Sequence, residues 1–156
     1  MSAGCEPSRP SREAWVLNAA EHITDAQRAT IVGSLEQTWA NMMAAARALD
    51  PAGIRAGYVD RPTVAINGLI LEDFDRQFHE TERWLGSLRQ LEASYDNVHL
   101  EVLSPTAAVA TMNHHLRWID TTGTAGEWNS AWTAVFRQSD ARWKIVYSHE
   151  SMLPGK

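Results

Sequence analysis

An α+β domain, with a curved antiparallel sheet folded over N-terminal helices, is the fold class that the sequence predicts. Three observations carry it. Apolar residues recur at helical spacing in two stretches before residue 92, alternating segments follow from Glu92 onward, and turn signals separate those segments. Helices come first and strands last, which argues against βαβ units around a parallel sheet. The 156 residues, 44% apolar and 21% charged, suit one domain with one buried core. Fourteen basic residues against 19 acidic ones give a net charge of −5 without a basic cluster, so no nucleic-acid partner is expected. No apolar run nears the ~18 residues that a membrane span requires.

Residues 1–23 read as a largely disordered leader or short helix, with Trp15 and Leu17 on a possible helical turn. Ser2-Ala3-Gly4-Cys5 resembles the end of a bacterial lipoprotein signal, but no apolar segment stands before it. Two readings stay open: a cytoplasmic protein with an incidental thiol, or a lipid-anchored or exported one, with membrane contact only if Cys5 is lipidated. A lone cysteine forms no internal disulfide.

The domain is expected over residues 24–151, with 152–156 as a tail. Thr24-Asp25-Ala26-Gln27 is a capping-box pattern, because the Thr hydroxyl can accept from the Gln27 amide while the Gln side chain reaches back. A long helix follows, with Ile31, Leu35, Trp39, Met42, Ala46 and Leu49 on one stripe, and Asp50-Pro51 ends it and caps a short second helix. Asp60-Arg61-Pro62 and Asn67-Gly68 bracket a brief strand at Val64-Ala65-Ile66. A helix from about Ile70 to Leu91 then carries Leu71, Phe74, Phe78, Leu85 and Leu88 on one face. Strands are expected over 92–103, 106–120, 127–138 and 142–151. In the last, strict alternation would put Trp143, Ile145, Tyr147, His149 and Ser151 on one face.

This order of elements resembles the NTF2-like superfamily, in its SnoaL-like and DUF4440-type branch, across about residues 24–151. The carriers are the long first helix, the Asn67-Gly68 turn, Thr133-Ala134-Val135-Phe136-Arg137, and the run from Asp140 through Val146 that closes in His149-Glu150-Ser151. Ala141 stands where Gly is usual in that family. The resemblance implies a cone-shaped domain with a largely apolar pocket, commonly dimeric. It spans isomerases, cyclases, dehydratases and non-catalytic binding modules, so fold alone assigns no chemistry.

Pairing the strands about hairpins centred near Gly123/Thr124 and Asp140/Ala141 gives three rows on one face: His115, Trp132, His149; Asn113, Ala134, Tyr147; and Arg117, Ser130, Ser151. On this reading His149, Tyr147 and His115 are the candidate catalytic groups. Trp132, Trp128, Asn113, Arg117 and Ser130 would bind the ligand, with Tyr58 and Asp60 as outlying candidates. Imidazoles titrate near neutrality, a phenol can donate to a developing oxyanion, and indoles hold a flat ligand. No metal is expected, since His114 and His115, adjacent on a strand, point to opposite faces. No cofactor is expected, and no carboxylate is placed on the pocket face.

The other face would carry Met112, His114, Leu116, Trp118, Ala131, Thr133 and Val135, too apolar for water, so a homodimer through it is expected. Two function classes follow. One is binding of a small apolar or ring-bearing molecule with cofactor-independent acid/base catalysis of isomerase, cyclase or dehydratase type. The other is a non-catalytic binding or dimerisation module.

Overall fold

In the computed structural model residues 23–152 are described. Cys5, Trp15, Leu17 and residues 153–156 lie outside them. The elements are α1 (Asp25–Arg47), α2 (Pro51–Arg55), β1 (Tyr58–Ile66), β2 (Leu69–Ile70), α3 (Phe74–Gly86), β3 (Leu88–Ser104), β4 (Ala107–Asp120), β5 (Ala125–Ser139) and β6 (Arg142–Met152). No helix among the described residues is long and apolar enough to cross a membrane.

Local chemistry sets the helix ends. Thr24 and Gln27 form the reciprocal capping box that starts α1, and Asp50 caps α2 through the Gly53 amide at 3.1 Å. The third helix is shorter than its apolar spacing suggested. Asp73 accepts from the Arg76 amide at 3.0 Å and so starts α3 at Phe74. Ser87 closes the helix, and Leu88 already belongs to β3.

The α+β class stands, but the antiparallel cone does not. The six strands run in the order β2-β1-β6-β5-β4-β3, an open sheet with free edges at β2 and β3 that is not curled or closed into a cone. It is also mixed, because β1 lies parallel to β6. The sequence hid this by showing only three strand-like residues there. Asp60-Arg61-Pro62, expected as a turn, lies inside the nine-residue β1, where the register with β6 shifts between Tyr58 and Thr63.

The core forms where α1 lies on one face of the sheet. Ile31, Leu35, Trp39, Met42, Met43 and Ala46 from α1 meet Met112, Leu116, Trp132, Phe136, Trp143 and Ile145 from the last three strands. Each large side chain so buried contributes about 1.5–3 kcal/mol.

Two details of register decide which side chains reach that face. The β4–β5 hairpin turns about Thr122, because the Asp120 carboxylate accepts from the Thr122 and Thr124 amides at 2.8 Å each. His115 therefore pairs with Asn129, and Trp132 pairs with Met112. The β5–β6 pairing keeps the expected register through Phe136↔Ile145, then a bulge brings Val135 opposite Tyr147. One extra residue reverses every later side chain. Ser148 and Glu150 turn inward, and Tyr147, His149 and Ser151 turn outward.

Met112, Leu116 and Trp118, expected on the uncovered face, thus belong to the core or pack against it. Those residues are therefore not open to a second subunit. Ala131, Thr133 and Val135 remain on the outer face, beside polar Thr111 and Asn113.

The β5–β6 turn places Asp140 at φ 50° and Ala141 at φ 59°. The left-handed region penalises a Cβ, so Ala141→Gly is expected to raise stability by roughly 0.5–1 kcal/mol. Chemical denaturation checks it, and a destabilised variant would show that the turn is unstrained.

Candidate functional site

Between the inner sheet face and the helices lies a cavity of about 280 Å³. Apolar side chains make most of its wall, including Trp39, Met42, Phe74, Phe78, Trp84 and Trp132; Tyr58, His114, Ser148 and Glu150 form a polar patch on β1, β4 and β6, and Gln77 and Thr81 add polar groups from α3. A wider, open depression on α3 is lined by charged or polar residues such as Asp75, Arg76 and Glu80.

At the polar patch, Ser130 Oγ donates to Glu150 Oε1 at 2.6 Å. His114 Nδ1 stands 3.4 Å from the same oxygen. That distance is long for a hydrogen bond. Burial pushes the Glu150 carboxyl up, but the hydrogen bonds from His114 and Ser130 and the His114 charge outweigh it, leaving the group below its ordinary range. In the neutral form of the ring, a carboxylate beside Nδ1 favours the proton there, which leaves the lone pair on Nε2. His114 Nε2 is buried and has no hydrogen-bond partner.

Tyr58 lines the same cavity, within electrostatic range of Glu150. Burial pushes the phenol up to about 12; Ser148 partly offsets this, and the Glu150 charge adds to it. Tyr58 therefore stays a neutral donor at any ordinary pH.

Asn67, left-handed at φ 49°, holds the end of β6 in place. Its amide donates to the Glu150 carbonyl at 2.9 Å, and its Oδ1 accepts from the Met152 amide at 2.8 Å. The Asn67-Gly68 turn thus fixes the strand segment that presents Glu150.

Of the residues chosen from sequence, Trp132, Trp128 and Tyr58 line the cavity, and Ser130 supports Glu150. Tyr147, His149, His115, Asn113 and Arg117 lie on the opposite sheet face. His115 contacts Asn129 Oδ1 at 2.6 Å and Asp96 Oδ2 at 3.2 Å, and with Arg117 it borders a separate polar groove. Asp60 is exposed and lines no part of the cavity. His114 and His115 do point to opposite faces, but the inward one is His114.

The expectation of a pocket face without a carboxylate is corrected by Glu150. Alternation read from Trp143 sends Glu150 outward, and only the bulge brings it in. Trp39, expected on the buried stripe of α1, also lines the cavity. Among the described residues, no three His, Cys, Asp or Glu side chains form a metal-ligating group.

The acid limb of stability tests the ionised Glu150. Its folded pKa lies below its unfolded value, so its contribution is present above the ordinary glutamate pKa of about 4.3 and is lost as pH falls through the folded value. Glu150→Gln is expected to lose less stability than wild type over that interval. Superimposable acid limbs in urea titrations would show that the carboxylate is not held ionised.

Comparisons with known proteins agree with the fold. A family model described as a SnoaL-like domain matches residues 35–154. No curated protein sequence matches significantly. Among solved structures, a candidate scytalone dehydratase from Novosphingobium aromaticivorans superposes with a TM-score of 0.75 at 13% identity, covering 84% of this chain and 89% of that one. The hexachlorocyclohexane dehydrochlorinase LinA-type3 from Novosphingobium barchaimii gives 0.68 at 10% identity, with 84% and 92% covered. An NTF2-like superfamily protein from Salmonella enterica gives 0.69 at 15% identity, with 83% and 94% covered. At these identities the likeness is one of fold.

Proposed function

Because the chain belongs to the SnoaL-like domain family, within the NTF2-like superfamily, we propose that its cavity binds a small apolar or ring-bearing molecule and that His114 removes a proton from it. The observation that carries this reading is the buried, unpartnered Nε2 of His114 on a ring backed by Glu150. Removing a proton from carbon requires a base held in place and a counter-charge for the imidazolium that forms. Glu150 supplies the charge, and Ser130 and Asn67 hold Glu150. Tyr58 stands protonated across the site as the donor, and the indole walls exclude water around the reacting carbon. Elimination and isomerisation both begin with this step, and neither asks for a cofactor. Structural neighbours described as a dehydratase and as a dehydrochlorinase, both eliminating enzymes by description, support the reading.

Incubation with ring ketones in deuterated water, followed by proton NMR, tests the proposal. Wild type is expected to incorporate deuterium next to the carbonyl faster than buffer does. Variants of the outward residues, His115→Ala and His149→Ala, are expected to match wild type. Binding without exchange would leave a pocket that recognises ligand and does no chemistry.

A further inference from the structure

Four side-chain atoms among the described residues are buried without a hydrogen-bond partner: Trp39 Nε1, His114 Nε2, Trp128 Nε1 and Trp143 Nε1. The first three belong to residues on the wall of the same cavity. A buried polar group without a partner is costly, so three on residues that line one space bear on what that space receives, although Trp39 also borders a smaller pocket beside Tyr95. His114 has its use above, which leaves the two indoles.

An indole N–H donates and never accepts, so the complement of Trp39 and Trp128 is an acceptor. Charge narrows the choice. The cavity wall contains no Lys or Arg, and its ionised group is the Glu150 carboxylate. An anion would meet that carboxylate in a poorly solvated space without a Lys or Arg to offset it, so a neutral acceptor, as in a carbonyl or ether oxygen, fits the wall best.

The strands set the order of these groups. Trp128, Ser130 and Trp132 occupy successive inward positions of β5, and His114 pairs with Ser130. Trp39 packs on Trp132 with ring centroids 4.6 Å apart. His114 therefore stands beside the midpoint of a row whose ends are marked by Trp128 and by Trp39 on Trp132, roughly 13 Å apart along the strand. Both donors sit on braced rings. Trp128 stacks on Trp84 at 5.2 Å and 15°, and Trp39 meets Tyr95 edge-on at 5.4 Å.

We propose that the indole N–H groups of Trp39 and Trp128 set the specificity of the cavity, selecting an uncharged, flat ring compound that presents hydrogen-bond acceptors and places its carbon acid between them, beside His114. This deepens the proposed function and rests on it for the position of the carbon acid.

Four bicyclic probes of similar shape test it on the full chain by calorimetry: 1-tetralone, tetralin, 2-naphthoate and protonated 2-aminotetralin. The ketone is expected to bind about tenfold more tightly than the hydrocarbon, the worth of one buried hydrogen bond, and more tightly than either ion. The single carbonyl reaches one of the two donors, so one of Trp39→Phe and Trp128→Phe is expected to shrink the ketone-to-hydrocarbon ratio, and loss of both N–H groups to abolish it. Benzothienylalanine at either position removes the N–H and keeps the ring shape, so it reads the same effect if a Phe variant fails to fold. Equal binding of ketone and hydrocarbon, a ratio unmoved by loss of both N–H groups, or tighter binding of an ion would overturn the proposal. Binding of none of the four overturns it together with the ring-binding reading. A ketone preference without deuterium exchange removes the catalytic role of His114 alone.

Discussion

His114→Gln is expected to slow deuterium exchange into a bound ring ketone by about 10²–10⁴-fold, the usual worth of a positioned general base. Gln can still reach towards Glu150, so the fold and ketone affinity should change little, which separates a lost base from a collapsed cavity. Glu150→Gln should slow exchange less, because His114 remains while the counter-charge for its protonated form is lost. The pair acts as a unit, so the double variant should be little slower than His114→Gln alone. Comparison of exchange rates with ketone dissociation constants in the three variants checks this. Full activity in His114→Gln would remove the base.

Trp132→Ala is expected to cost about 3–5 kcal/mol of stability, the range for removing a large aromatic side chain from a core. Trp132 is 6% exposed. It packs on Trp39 and stands beside Met112 and Glu150 on the neighbouring strands, so no single neighbour can fill the space it leaves. Such a loss is a large part of the ~5–15 kcal/mol that holds a typical domain together. Tyr147→Ala, on the half-buried outer face, is expected to cost clearly less. Denaturant midpoints decide between them. Equal losses would show that Trp132 and Tyr147 share one buried face of the sheet.

Much of this fold is legible in the sequence because its signals are local. The capping box at Thr24, the Asp50-Pro51 break and the strands from Ala107 onward all rest on neighbouring residues. The parallel pairing of β1 with β6 joins segments about eighty residues apart, and nothing in the Tyr58–Ile66 stretch announces its partner. The same divide runs through the site. Trp132, Trp128, Tyr58 and Ser130 were reachable as aromatic or polar residues on strands, but the face of each residue after Ile145 depends on a bulge that alternation cannot show. One extra residue exchanged His149 for Glu150. A hairpin centred at Thr122 in place of Gly123/Thr124 paired His115 with Asn129, leaving His114 as the inward histidine. That turn was set by the Asp120 carboxylate, which was visible in sequence as an Asp before Thr-Thr-Gly, whereas its effect on register was not.

The inward placement of His114 and Glu150 is the claim from which the rest follows, and the ring nitrogens report on it directly. In a long-range nitrogen–proton correlation spectrum of the histidines, wild type is expected to show His114 with its proton on Nδ1 and a free lone pair on Nε2. Titration with 1-tetralone should move the His114 signals and leave those of His115 and His149 in place. Movement of His115 or His149 with His114 unchanged would contradict the account and return the site to the outer face of the sheet.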